Sequence, residues 1–374
     1  MKVLHVITGL NDGGAEGVLT RLCLHSKFKH VVISLMDEGK YGHTLKEGGV
    51  EVYCLGMKQG IISPKGFMKL VKIIKDQKPD CVQTWMYHAD LLGGLASRLA
   101  GVRNVFWGVR HSNLEKGYSK RSTIMIAHVC ALLSRWIPTK IICCANKAVS
   151  VHSKIGYSQS KLVIIPNGYD LKKFRPDPVA RKKIREAFAI SDDEFLIGKV
   201  GRLDPQKDHD NLIRALALLN EKNVSFRCVL VGRGLLNENN FIADKLIDTG
   251  LLNKFILTGP RNDIPDIMNS LDLHVLSSAY GEAFPNVVAE AMACGTPCIS
   301  TDVGDAKEII GDMKLCCSKK DPEKLAELII SMKNDWQNKS ALWEKRQESC
   351  VRRISENFSV ATMVSAFEKC WEGV

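Results

Sequence analysis

Short, nearly continuous apolar runs alternate with longer segments of helical periodicity along the whole chain. In the first half the apolar runs fall near residues 2–8, 29–35, 50–54, 80–84, 104–109, 139–144 and 162–165. In the second half they fall near 195–200, 226–231, 255–258, 272–276, 298–301 and 313–316. Runs of this length without polar alternation predict strands buried on both faces. Between them lie amphipathic stretches such as 64–77 and 87–100. In 207–222, Leu212, Ala215, Leu216 and Leu219 recur at i, i+3, i+4 and i+7, the stripe of a one-faced helix. Strict alternation of this kind predicts parallel sheets covered by helices. The last segment, roughly 340–372, reads as helical throughout.

The series is interrupted near 170–190. Pro166-Asn167-Gly168 closes one run, and Phe174-Arg175-Pro176-Asp177-Pro178 resists regular structure before a second βα series begins at Phe195. The chain of 374 residues is long enough for two cores. The prediction is an α/β protein with two doubly wound, Rossmann-like domains, 1–172 and 173–357, facing each other across a cleft. Ligands of such sheets sit at the carboxyl ends of the strands, which makes that cleft the expected site.

Composition fits a globular protein, with 45% hydrophobic and 25% charged residues. The N-terminal run ends in a Gly/Asn/Asp loop and reads as a strand rather than a signal peptide. No run is long enough to span a bilayer; the nearest, Ile124 to Ile137, is cut by His128 and Arg135. A cytoplasmic location is expected. The 13 cysteines show no metal-ligand spacing and are expected as reduced, mostly buried thiols. Charge is asymmetric. Residues 1–170 hold 23 Lys and Arg against 11 Asp and Glu; residues 171–374 hold 29 against 30. The basic half calls for an anionic partner, such as lipid phosphate or a membrane surface. Lys65, Lys69, Lys72, Lys75 and Lys78, opposite Phe67, Leu70, Val71 and Ile74, suit either a solvated helix face or anionic lipid.

Five segments carry candidate chemistry. Gly13-Gly14 follows the first strand and opens a helix, which suits a phosphate, although a tight turn needs glycine in any case. Arg202 and Lys207 follow the strand at 195–200, a pair suited to neutralising a departing diphosphate or, more plainly, to a solvated loop. Glu282 and Glu290 bracket a helix start at Pro285, with Gly295 just past its end. Carboxylates there would accept from ribose or sugar hydroxyls. Arg110-His111 and His88 follow two strand ends and point to the acceptor side or to structural duties. No G-x-G-x-x-G, P-loop, G-x-S-x-G or H-E-x-x-H is present.

In this order and spacing the segments resemble the retaining family 4 glycosyltransferases of the GT-B fold. The marks are Gly-Gly-Ala-Glu (13–16), His111, Pro-Asn-Gly-Tyr-Asp (166–170), Gly-Arg-Leu…Gln-Lys (201–207), Glu-x7-Glu (282–290), Gly-Thr-Pro (295–297) and Thr-Asp-Val-Gly (301–304). The resemblance implies that Arg202 and Lys207 bind the donor diphosphate, Glu290 the ribose and Glu282 the donor sugar. Phe284, Asn286 and Val287 belong to the same donor element. Gly13 and Gly14 approach the phosphates, His111 contacts the sugar ring, and the loop at Gly259-Pro260-Arg261 and Ile264 cradles the base. The final helix, 358–374, is expected on the first domain. Two positions depart from the family: Ala283 and Pro285 stand where glycine is common, so backbone donation to a phosphate falls to Asn286 or Val287. The implied reaction is retaining, metal-independent and free of cofactors. Its donor would be a UDP-hexose or UDP-N-acetylhexosamine. Its acceptor would be a lipid-linked saccharide, such as an undecaprenyl diphosphate sugar, at the inner membrane face in O-antigen or other surface-polysaccharide assembly. Three alternatives stand beside it: a nucleotide-sugar epimerase of the same architecture, a basic nucleic-acid- or membrane-binding protein, and an inactive sugar-binding subunit. No nucleic-acid-binding pattern appears.

Overall fold

A computed structural model of the chain describes residues 1–374 except 12, 59–62, 115–119, 237–239, 339–340 and 374. The chain forms two compact units, Met1–Gly168 with Val360–Val374, and Tyr169–Ser359.

The first unit is built on seven parallel strands: β1 (Lys2–Ile7), β2 (Lys29–Ser34), β3 (Glu51–Cys54), β4 (Cys81–Trp85), β5 (Val105–Val109), β6 (Lys140–Cys143) and β7 (Leu162–Ile164). Their order is β3-β2-β1-β4-β5-β6-β7, so the winding reverses between β1 and β4. The sheet interior is Val3, Ile7, Val32, Phe106 and Ile142, all without exposed surface. Helix Pro64–Gln77 starts where expected: Pro64 occupies its first turn and the Ser63 hydroxyl accepts from Gly66 N–H at 3.2 Å. Lys65, Lys69, Lys72, Lys75 and Lys78 are exposed, while Leu70 and Ile74 are buried.

Helix Val360–Glu372 packs on helix Gly14–His25 and covers this sheet with Phe367 and Trp371. Beneath it the Trp85 indole donates to His5 Nδ1 at 3.1 Å, and His5 Nε2 lies 2.8 Å from His30 Nδ1. An indole only donates, so His5 carries its proton on Nε2 and donates that N–H to His30 Nδ1. Cys23 completes a trio whose ligand atoms lie within 4.8 Å of one another. Both nitrogens between the two histidines are engaged in that hydrogen bond, which leaves His5 no lone pair for a metal.

The second unit has six parallel strands: β8 (Leu196–Val200), β9 (Arg227–Val231), β10 (Phe255–Leu257), β11 (Leu273–Leu276), β12 (Cys298–Thr301) and β13 (Cys316–Cys317). Their order is β10-β9-β8-β11-β12-β13, with the reversal between β8 and β11.

Two sequence expectations are corrected. The run at 313–316 is a short turn, Met313–Leu315, followed by the two-residue β13; the Asp312 carboxylate accepts from Lys314 N–H at 2.9 Å and winds the chain there. The final segment is not one helix but two, Ala341–Asn357 and Val360–Glu372. At the break the Phe358 carbonyl accepts from Tyr169 N–H at 2.9 Å, so it leaves the helical ladder. All 13 cysteines are free thiols, none more than partly exposed. Among the described residues no helix is long and apolar enough to cross a membrane.

Candidate functional site

The winding reversal of the second unit brings together two loops whose key residues are 75 positions apart in sequence. After β8 the chain makes a short turn, Pro205–Lys207, capped by the Asp204 carboxylate, which accepts from Gln206 N–H at 2.9 Å. After β11 it runs through Ser277 and Ser278 to Glu282. Adjacent strand ends place Lys207 Nζ 2.6 Å from Glu282 Oε1, with side chains only 15% and 10% exposed. The Ser278 hydroxyl donates to the same carboxylate oxygen at 2.8 Å. Arg202, just before this turn, is exposed and its Nε donates to Asp204 at 3.0 Å. A cation, a carboxylate and a solvent-reaching guanidinium thus share one carboxyl edge, a setting that can neutralise phosphate and accept from hydroxyls.

Glu282 is held by the backbone around it. Asp305 N–H donates to the Ala283 carbonyl at 2.9 Å. Gly304, at φ +54°, packs so tightly on this turn that a Cβ would lie 2.4 Å from the Ala283 carbonyl oxygen. Only glycine fits there. Phe284 is buried, stacks on Tyr169 with centroids 6.4 Å apart, and meets Phe358 edge-on at 5.4 Å. The Tyr169 hydroxyl donates to Asn286 Oδ1 at 2.6 Å. Asn286 opens helix Asn286–Ala293, and Val287 follows it in the first turn. Pro285 supplies no N–H, and its carbonyl accepts from Val288 at 3.1 Å. Glu290 lies half-buried on this helix. Arg261 forms a two-pronged pair with Asp263, Nε to Oδ1 at 2.8 Å, and its guanidinium lies 5.7 Å from the Phe188 ring. Ile264 begins the next helix, Ile264–Ser270.

In the first unit Gly13 precedes helix Gly14–His25 in extended conformation, φ −154°. Gly39, at φ +52°, crosses that loop so closely that a Cβ would sit 2.4 Å from Leu10 backbone. Arg110 packs over the Trp85 and Phe367 rings at 4.8 and 5.6 Å and donates to Asn167 at 2.9 Å. These contacts anchor its side chain inside this unit. His88 and His111 are half-buried, and burial holds both imidazoles below their usual range, hence neutral at pH 7.

Three residues carry features that the sequence did not reveal, two of them, Met86 and Asp90, within the segment Trp85-Met86-Tyr87-His88-Ala89-Asp90 that follows the strand at 80–84. Met86, between β4 and helix Tyr87–Leu99, is held at φ 68°, a conformation costing on the order of 1–3 kcal/mol for a non-glycine residue. Asp90 is fully buried; its Oδ1 accepts from Thr84 Oγ1 at 2.5 Å and Gly108 N–H at 3.1 Å. Burial pushes its carboxyl up to about 8, against the pull of those two bonds. Lys199, a cation in the middle of an apolar strand, is the signal that sequence reading passed over.

Two family models together cover most of the chain: Glycosyltransferase Family 4 over residues 13–173 and Glycosyl transferases group 1 over residues 180–349. The chain belongs to the family 4 glycosyltransferases of the GT-B fold. A Bacillus subtilis protein named EpsF is 28% identical over 310 residues, 80% of this chain and 79% of that one. The Escherichia coli UDP-Gal:alpha-D-GlcNAc-diphosphoundecaprenol alpha-1,3-galactosyltransferase is 31% identical over 244 residues, 64% of this chain and 62% of its own length. Among solved structures, Anabaena HepE in complex with UDP and glucose superposes with a TM-score of 0.85 at 22% identity over the full length of both chains. At that identity the likeness speaks for the fold, two Rossmann-like domains of the GT-B type. For this glycosyltransferase, the Lys207–Glu282 meeting is the local feature on which a functional reading can be built.

Proposed function

We propose that this glycosyltransferase moves a hexosyl or N-acetylhexosaminyl group from a UDP-sugar to a lipid-linked saccharide, with retention of configuration and without a metal. The observation that carries the reading is the nearly buried Lys207–Glu282 pair at the β8/β11 reversal. Lys207 and Arg202 take the diphosphate and neutralise the charge that builds as it departs. Glu282 accepts from hydroxyls of the transferred sugar, and Glu290 from the ribose diol. Gly13, Gly14 and neutral His111 serve the donor's phosphates and sugar. Among the described residues no side chain stands out as a covalent nucleophile, which favours attack on the face of the departing phosphate. The UDP held by Anabaena HepE and the diphosphoundecaprenol acceptor named for the E. coli relative support this choice of donor and acceptor. A place in O-antigen or other surface-polysaccharide assembly follows from that acceptor class.

Titration with UDP, GDP and ADP in EDTA tests the donor: UDP-selective binding that is weakened in Glu290→Ala is expected, and metal-dependent binding refutes the metal-free mechanism. Product anomericity by NMR tests retention; an inverted linkage refutes it.

The acceptor reading brings the protein to an anionic membrane surface. Helix Arg121–Leu133 and the residues after it support this. Met125, Val129, Leu132 and Trp136 form one solvent-facing stripe, 62%, 39%, 67% and 65% exposed, with exposed Arg121 and Arg135 along one edge. Four large apolar side chains in water beside cations suit an anionic bilayer. Trp85, Trp107, Trp343 and Trp371 are buried and Trp336 is half-buried. Trp136 is therefore the strongly exposed indole and a built-in reporter. Its emission should shift blue with phosphatidylglycerol vesicles and not in Trp136→Phe; an unshifted spectrum refutes the membrane part alone.

A further inference from the structure

Lys199 stands in β8 among Leu196, Ile197, Gly198 and Val200, and it is 1% exposed. Its ammonium donates to the Lys207 carbonyl at 2.7 Å and to Ser277 Oγ at 2.6 Å. The Ser277 hydroxyl in turn donates to the Asp208 carbonyl at 2.8 Å. One buried cation therefore clamps the backbone of Lys207 and Asp208 to the end of β11, while the Lys207 side chain reaches Glu282. A charge in a dry interior is costly unless its neighbours compensate it. Burial holds Lys199 down to about 7, the Lys207 charge adds to this, and the Glu282 and Asp208 carboxylates push it back up.

His209, His274 and Cys228, which share this cluster, stay uncharged near neutral pH. His209 and His274 are buried and lie near both lysines. Burial first, then the charges of Lys199 and Lys207, hold His209 down to about 2 and His274 to about 3. Both are neutral at any working pH. Burial pushes the Cys228 thiol far above neutral. Lys199 is thus the member poised to change charge near pH 7.

We propose that Lys199 is a positioning residue that couples proton uptake to donor binding. It holds the Lys207–Asp208 backbone against Ser277, and a nucleoside diphosphate group arriving at Lys207 binds together with one proton, taken from solvent onto Lys199 Nζ. The inference rests on the donor reading above. The added negative charge favours the ammonium over the amine, so affinity falls as pH rises above 7.

Calorimetric titration with UDP-glucose at pH 8, in two buffers of different protonation heat, counts the proton. UDP-glucose suits the purpose because its diphosphate is esterified at both ends and carries no oxygen titrating near neutral pH. The wild type should take up most of one proton, and its affinity should weaken by up to tenfold per pH unit between 7 and 9. Lys199→Arg, whose guanidinium stays charged, should bind with no proton uptake and a flat pH profile. Lys199→Met should show no uptake and weaker binding; circular dichroism confirms that it folds, and the wild-type count stands without it. UDP-glucose binding with no proton uptake in the wild type overturns this inference and leaves the donor site intact. No heat from UDP-glucose, UDP-galactose or UDP-N-acetylglucosamine, titrated in the same way, overturns the donor reading and this inference together.

Discussion

Replacing Lys207 by methionine removes one charge and keeps most of the side-chain volume. Two consequences follow from the geometry. The Glu282 carboxylate, 10% exposed, loses its 2.6 Å partner and keeps the Ser278 hydroxyl at 2.8 Å. An under-satisfied, mostly buried carboxylate costs about 1–3 kcal/mol, visible as a lower denaturation midpoint. Donor binding loses a charge-assisted contact of about 1.5–3 kcal/mol, or roughly 10–100-fold in the UDP dissociation constant. Because charge on the diphosphate grows as the sugar departs, turnover should fall further, by about 10²–10³. Glu282→Gln should behave differently: it frees Lys207, leaves UDP affinity unchanged or improved, and still lowers turnover. The double variant should be non-additive by at least about 0.5 kcal/mol, as expected of side chains in direct contact. Calorimetry with UDP and a transfer assay read all of this. Wild-type UDP affinity in Lys207→Met would refute the assignment of Lys207 to the diphosphate.

Asp90 supplies a pH test. Its carboxyl is raised to about 8 in the folded protein, so the folded state binds more protons than the unfolded state from about pH 4 to 8. Its contribution is fully present at low pH and is lost as pH rises through 8; Asp90→Asn should flatten stability over that window in denaturant titrations, and an unchanged slope rejects the raised carboxyl. Gly304→Ala, at φ +54° and 2.4 Å from the Ala283 carbonyl, should cost on the order of 1–3 kcal/mol and displace Glu282; unchanged melting and turnover would show that this contact does not hold the loop. Glu290→Ala should weaken UDP and leave inorganic diphosphate binding as it is, since the ribose contact alone is removed; equal losses for both would count against a ribose role.

The strands were legible because each is a continuous apolar run with turn residues at both ends. The region 313–316 was not, because a turn capped by Asp312 and a two-residue strand carry too little pattern to separate. The break at Phe358 was invisible for another reason: it is made by Tyr169 N–H, from a distant part of the chain. Lys207 and Glu282 were each marked by local pattern, but their pairing exists only because β8 and β11 are neighbours. The pairing of Arg261 with Asp263, two residues on, was in the sequence and went unweighed. Lys199 was visible as a charge in an apolar strand, yet its meaning depends on Ser277 and the Lys207 carbonyl, which only the fold supplies.

The central claim is tested most directly by following UDP release from UDP-glucose, UDP-galactose and UDP-N-acetylglucosamine in EDTA, with and without N-acetylglucosaminyl diphosphoundecaprenol in detergent. The account predicts that at least one donor is consumed only when acceptor is present, with a glycosylated lipid as product. Donor conversion without acceptor would contradict transfer and favour an epimerase, and no consumption of any donor would contradict the UDP-sugar assignment itself.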